Sequence, residues 1–276
     1  MGASFRADLL TLAKRPAVRF LVVLPVILIL FIRYALPYIS YVQTKVGAPT
    51  PGAIPDQLAS LLPSNAIRMV IDGLGVEGGG IALILGALAA GSEYDWGTLK
   101  TAFMVGPSRL AVYLGRALAL GVVLVVLVLA VYAAALGAGL LITVLEGASV
   151  GWPSAYDAAK GIGDSWLILA MWSSFGVMLA VLLRGLALPI GLGLVWIFVV
   201  EGLLVEFANG VGALRIIDQA FPGANADALA VQFGDLRGNP VSGVPVSATH
   251  AEWVLAAYIV AFLALGAFLL RTRDVA

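Results

Sequence analysis

The residues able to do chemistry in this chain are few, and most of them sit where long apolar runs break off. The densest group is Glu93-Tyr94-Asp95-Trp96-Gly97-Thr98-Leu99-Lys100, followed by Pro107, Arg109 and Arg116. A second feature is a pair of acids, Glu201 and Glu206, inside the apolar stretch that begins near Ile190 and includes Trp196. A carboxylate at bilayer depth is costly, so it faces protein or a water-filled path. Glu201 and Trp196 are therefore the candidate residues of a translocation path, with a hydrogen-bonded structural carboxylate as the alternative. Nucleophilic and metal chemistry have little to work with. There is no cysteine and one histidine, His250, which leaves no thiolate site and no histidine cluster for a metal. The chain has no Gly-x-x-x-x-Gly-Lys-Ser/Thr loop, no Gly-x-Ser-x-Gly elbow and no His-Glu-x-x-His helix, so it offers neither ATP cradle nor hydrolytic centre. The run Gly73-Leu74-Gly75-Val76-Glu77-Gly78 matches a dinucleotide fingerprint in letters. That fingerprint needs a strand before it and a helix after it in a soluble unit. Here an apolar run follows, and tightly packed backbone is the expected role. The chain is expected not to be an enzyme by itself.

The elements that position these residues are membrane helices. Of the 276 residues, 61% are hydrophobic and 12% charged, and the mean hydropathy is +1.03. A spanning helix needs about 20 apolar residues, because the bilayer core has no water to satisfy the backbone. The expected fold is an all-α polytopic membrane protein forming one transmembrane domain over 1–276. Six spans are expected near 18–40, 70–91, 110–141, 165–183, 186–207 and 252–270. The first run is expected to be a retained span and not a cleaved leader, since Arg33, Tyr34 and Pro37 follow it and no small-x-small site does. Residues 4–15 read as an interfacial helix with Phe5, Leu9, Leu12 and Ala13 on one face, separated from the first span by Pro16. An even span count puts both termini on one side. Arg6, Lys14, Arg15 and Arg19 crowd just before the first span, which makes that side cytoplasmic. Segments 41–69, 142–164 and 208–251 then lie outside, the last with short amphipathic or re-entrant helices at 213–221 and 226–233. A formal net charge of zero offers nucleic acid no basic field.

The segment 92–109, on the cytoplasmic side between the second and third spans, resembles a loop of the ABC-2 type transporter membrane subunits. Those proteins carry there a Glu, a Gly-Thr-Leu, a Pro-x-Ser-Arg and a Gly-Lys. Glu93, Gly97-Thr98-Leu99, Pro107-Ser108-Arg109 and Gly115-Arg116 occupy those places, with Arg116 where the family usually has Lys. The layout of six spans, amphipathic prelude and long outer segment before the last span is also similar. The resemblance implies the permease subunit of an exporter in the cytoplasmic (inner) membrane. ABC ATPase subunits on separate chains would bind ATP and Mg, and this chain would bind no cofactor. A second membrane subunit, as a homodimer, would complete the path through the lipid bilayer. Drug or peptide export is the branch that the compact chain resembles. The segment from Glu93 to Lys100, with Pro107, Arg109 and Arg116, would couple it to the ATPase. Trp96, Tyr94 and Leu99 would act as anchors, and Glu93, Asp95, Lys100 and Arg109 as orienting charges. The alternatives are an ATPase-independent secondary transporter or channel, and a membrane assembly or maturation factor of the same family.

Overall fold

The computed structural model describes residues 2–47, 53–95, 108–210, 219–234 and 246–272. Among the described residues every regular element is helical, as chain placed in hydrocarbon must be to satisfy its own N–H and C=O groups. Helix α1 is Gly2–Lys14 and α2 is Pro16–Ile29; α2 runs through a π-helical segment, Leu30–Ala35, into α3, Leu36–Val46. Then come α4 (Ala53–Leu61), α5 (Ala66–Gly73), a second π-helical segment (Leu74–Gly78), α6 (Gly79–Asp95), α7 (Arg109–Glu146) and α8 (Ala155–Leu183). Helix α9 (Ala187–Val195) continues through a third π-helical segment, Trp196–Val200, into α10 (Glu201–Gly210). Helices α11 (Pro222–Val231) and α12 (Ala248–Thr272) complete the chain.

Five helical stretches are long and apolar enough to cross a membrane: Pro16–Val46, Arg109–Glu146, Ala155–Leu183, Ala187–Leu204 and Ala248–Thr272. The protein is thus a helical membrane protein. The apolar helix at Gly79–Tyr94 is shorter. It reaches its length only together with α5 and the π-helical segment before it. The helices also run well past the expected ends. Residues 41–46 and 155–164, expected in outer segments, are helical. The reason is that polar residues near the helix ends find partners on neighbouring helices instead of water. Lys45 bonds Glu146 at 2.6 Å, Tyr41 donates to the same carboxylate at 2.8 Å and Tyr38 at 3.0 Å.

Local signals set the ends. Pro16 stands in the first turn of α2, after an extended Arg15, because proline suits a position whose N–H has no helical acceptor. The Ser108 hydroxyl oxygen accepts from Ala111 N at 3.2 Å to cap α7, and that of Ser154 accepts from Asp157 N at 3.0 Å to cap α8. Gly147 ends α7 with φ +62°, the left-handed conformation glycine adopts freely.

The core is the α6–α8 pair. A Cβ placed on Gly86 would collide with the Ser173 carbonyl, and one on Gly176 with the Leu83 carbonyl. This is close backbone approach of the kind small residues allow between membrane helices. Trp172, almost fully buried, fills the space over Gly79. Gly73 closes α5, and Gly78 packs against Leu74 and Leu169. No strand precedes this glycine run among the described residues, so the setting of a dinucleotide site is missing.

The bundle has two ends. One gathers α1, the last turn of α6, the first turns of α7, the α8–α9 junction (Gly91 lies against the Gly185 carbonyl) and the last turn of α12. The far end gathers α4, the end of α7, the start of α8 and the start of α12. Helix α11, a short element entering from the far end, packs against α5 and α12. It overlaps most of the helix expected at 226–233 and begins four residues earlier. The other expected short helix, 213–221, lies mostly outside the described residues. Helix α1 seats Leu12, and partly Phe5 and Leu9, against the core, whereas Ala13 points away from it. Its apolar face therefore lies on protein, over the first turns of α7.

Candidate functional site

At the end that gathers α1, the last turn of α6 and the first turns of α7, four charged side chains meet. Arg116, two turns into α7, pairs with Glu93 near the end of α6, and its Nη2 lies 3.4 Å from Asp8 Oδ1 on α1. Arg116 is 11% exposed, and Asp8 and Glu93 16% each. Arg15, between α1 and α2, donates to the Leu88 carbonyl and to the Ser92 hydroxyl oxygen, both at 3.3 Å. Two acids and two arginines thus alternate in a shallow, half-dry site of zero net charge. Near-complete pairing is what makes such burial tolerable. Burial pushes the Asp8 carboxyl above its usual range, against the pull of Arg116. Burial, with Arg116 nearby, holds the Arg15 guanidinium below its ordinary value.

The backbone is built to allow this meeting. Gly115 faces α1, and a Cβ there would come within 3.2 Å of the Phe5 nitrogen and of the Ser4 side chain. Glycine at that position lets α1 approach, and the next residue, Arg116, clamps it. Beside it, Arg109 Nη1 donates to the Leu270 carbonyl at 3.4 Å and ties α7 to the last turn of α12. Tyr94 is half-buried and packs on the core. It lines a small crevice with Ala90, Arg109, Tyr113 and Arg116. Glu93 and Arg116, distant by 23 residues, are therefore brought together, and Glu93 points into the bundle. Asp95 is the last residue of α6. Trp96, Gly97, Thr98, Leu99, Lys100 and Pro107 lie outside the described residues.

Asp8 and Arg15 were missed in reading the sequence, because a charge in an amphipathic prelude reads as solvated. The glycine at 115, inside the apolar run and next to Arg116, was the available signal that another backbone comes close.

The carboxyl of Asp8 carries a pH prediction. Its folded value is raised, so the stability this group contributes is complete below the unfolded value of 3.8 and is lost as pH rises through the folded one. Asp8→Asn should flatten the fall in thermal stability between about pH 4 and pH 7. Thermal unfolding of purified protein across that range checks it. A wild-type slope unchanged in the variant would show that Asp8 titrates as a free carboxyl.

The second candidate site is at Glu201. It follows the π-helical segment 196–200, is 5% exposed and accepts a hydrogen bond from the Gly223 backbone N–H. Gly223 lies in the first turn of α11, whose N-cap Phe221 has no capping side chain. Glu201 supplies that cap from 22 residues away, where a carboxylate also meets the positive end of the helix dipole. A Cβ on Gly223 would stand 2.8 Å from the Glu201 oxygen, so glycine is needed for the approach. Helix α11 is held elsewhere as well. Tyr258 donates to the Ala220 carbonyl at 3.0 Å, and Gln232 Nε2 to Asp164 at 2.7 Å. Trp196 turns instead to an aromatic group, with its ring 6.4 Å from that of Phe175. The structure thus gives Glu201 and Trp196 different neighbours.

Comparison with known proteins returns no match: no protein-family model fits the chain, and no curated protein is significantly similar to it.

Proposed function

We propose that this chain is the membrane subunit of an ATP-driven exporter of the ABC-2 type, working with ATPase subunits on separate chains. The supporting observation is the junction at Arg116. The resemblance rests on the segment between α6 and α7, and in the structure the two flanks of that segment are tied to each other and to α1 by one buried guanidinium. A push on the segment is then felt by three elements at once, which is what a transmission element requires. In this reading the chain crosses the inner membrane six times with both termini in the cytoplasm, and a second copy completes the path. The exported compound belongs to the drug or peptide class.

The test is co-purification of an ATPase with the tagged chain, repeated for Trp96→Ala. An aromatic anchor at a hot spot is worth about 2 kcal/mol or more, so the variant should lose roughly thirtyfold in affinity for the ATPase. Membrane insertion should be unchanged. Transport that survives ATP depletion, with no ATPase recovered, would overturn the reading.

A second reading, an ATPase-independent secondary transporter, has its own observation in favour. Three helical passages are interrupted by π-helical segments, and Arg33, Asp72 and Glu77 lie in or beside two of them. Interrupted helices bearing ionisable groups at depth are features of such transporters. Dependence of transport on an ion gradient and not on ATP would select it.

A further inference from the structure

Arg33 stands deep in the long helix Pro16–Val46, about 26 Å from its start and about 20 Å from its end at 1.5 Å per residue. Its Nη1 lies 2.6 Å from Asp72 and its Nη2 3.6 Å from Glu77. Most outward-facing side chains before and after it are apolar, Val23, Ile27 and Phe31, then Leu36, Ile39 and Val42, with polar Ser40 and Gln43 among the last. The cluster therefore falls inside the band that meets hydrocarbon. It is not covered by its own chain, since the Arg33 side chain is 21% exposed and that of Glu77 41%. A carboxylate and a guanidinium open to lipid at this depth are strongly unfavourable, and such groups turn to protein or to water.

The other sparsely covered helices differ in this respect. Helix α12 has no ionisable acid or base other than a tyrosine between Glu252 and Arg271, and α7 likewise has none between Arg116 and Glu146. The one acid of the stretch Ala187–Leu204, Glu201, is turned into protein at 5% exposure. Their exposed faces suit lipid tails. The α2–α3 face does not. The cluster also carries both signs side by side. A mixed-sign patch is self-complementary about a two-fold axis, which sets each cation against the other copy's anion.

We propose that the membrane face around Arg33 and Glu77 is the contact between two copies of this chain, with Arg33 set against Glu77 of the partner subunit. It rests on the homodimer in the reading above and gives that homodimer a surface.

The absence of native cysteine makes the test direct. Leu36, one turn beyond Arg33 and 46% exposed, is replaced by cysteine, and membranes are treated with a short bis-maleimide. Leu36→Cys should give a cross-linked dimer, and Val260→Cys on the exposed face of α12 should not. In a second arm, two differently tagged chains are co-expressed, one with Glu77→Arg and one with Arg33→Glu. The mixed pair restores opposite charges across the axis, so it should be recovered at least tenfold over either self-pair. Equal recovery of mixed and self-pairs overturns the proposal. So does cross-linking at Val260→Cys but not at Leu36→Cys, which would leave a homodimer with another surface. Labelling of Leu36→Cys by an impermeant hydrophilic thiol reagent without cross-linking also overturns it and makes the face a water-lined path. A monomer with neither cross-link removes the homodimer itself. Absence of an ATPase from a preparation that cross-links at Leu36→Cys defeats the exporter reading and leaves the dimer face standing.

Discussion

Arg116→Leu is expected to destabilise the protein by about 3–5 kcal/mol, the usual cost of removing one member of a buried ionic group. The loss is large because of what remains. Asp8 and Glu93, each 16% exposed, would face each other as like charges. Glu93 Oε2 is already buried without a hydrogen-bond partner, so this carboxylate has nothing in reserve. At roughly 2–4 °C per kcal/mol for a chain of this size, the unfolding midpoint should fall by about 10 °C. Helix α1 should also become open to hydrogen exchange, because Arg116 is its one ion-pair tie to α7 among the described residues. Arg116→Lys keeps the charge but loses the planar fork that reaches two carboxylates, and should fall between the two. The informative variant is the neutral triple Asp8→Asn, Glu93→Gln, Arg116→Met. Replacing a whole buried ionic group is often neutral or stabilising, so stability should return. If the junction transmits motion from the cytoplasmic segment, transport-linked ATP turnover should stay low in that stable triple. Full turnover would reduce the network to a structural tie.

The legible part of this molecule was what the bilayer dictates. Long apolar runs had to be helices, and Pro16 had to separate α1 from α2. The illegible part was pairing. Arg33 falls inside the expected first span, 18–40, and nothing near it in the chain names its partner. Only the fold shows Asp72, 39 positions later, coming to 2.6 Å and letting the helix continue to Val46. The same holds for Lys45 and Glu146, and for Lys160, which donates to Glu252. Each pair joins helices whose order in space the sequence does not state. Without those partners the expected spans stop short of most of the observed helix ends. Local capping is written in neighbouring residues, and charge neutralisation between helices is not.

Glu201 shows the same gap at a single residue and carries the second large effect. From the sequence it was an acid at membrane depth with two readings open. The structure makes it the cap of α11, and capping by a buried carboxylate has consequences that a path residue alone would not. Glu201→Leu removes the acceptor of the Gly223 N–H inside protein. An unsatisfied buried donor costs about 1–3 kcal/mol, and loss of a helix cap about 1 kcal/mol; together roughly 3 kcal/mol is expected if the two partly overlap. The damage should be local. Helix α11 and its ties to Asp164 and Tyr258 should loosen, seen as faster hydrogen exchange across Pro222–Val231, while the α6–α8 core keeps its protection. Glu201→Gln retains an acceptor oxygen but loses the charge at the helix N-terminus, so it should recover more than half of the stability. Gly223→Ala should mimic Glu201→Leu without touching the acid, because its methyl would occupy the space of the Glu201 oxygen at 2.8 Å. If Glu201→Leu changes transport while exchange across α11 stays at the wild-type rate, the carboxylate acts on the path directly and its capping role is incidental. If Gly223→Ala and Glu201→Leu loosen α11 alike and reduce transport alike, the position of α11 is what transport requires.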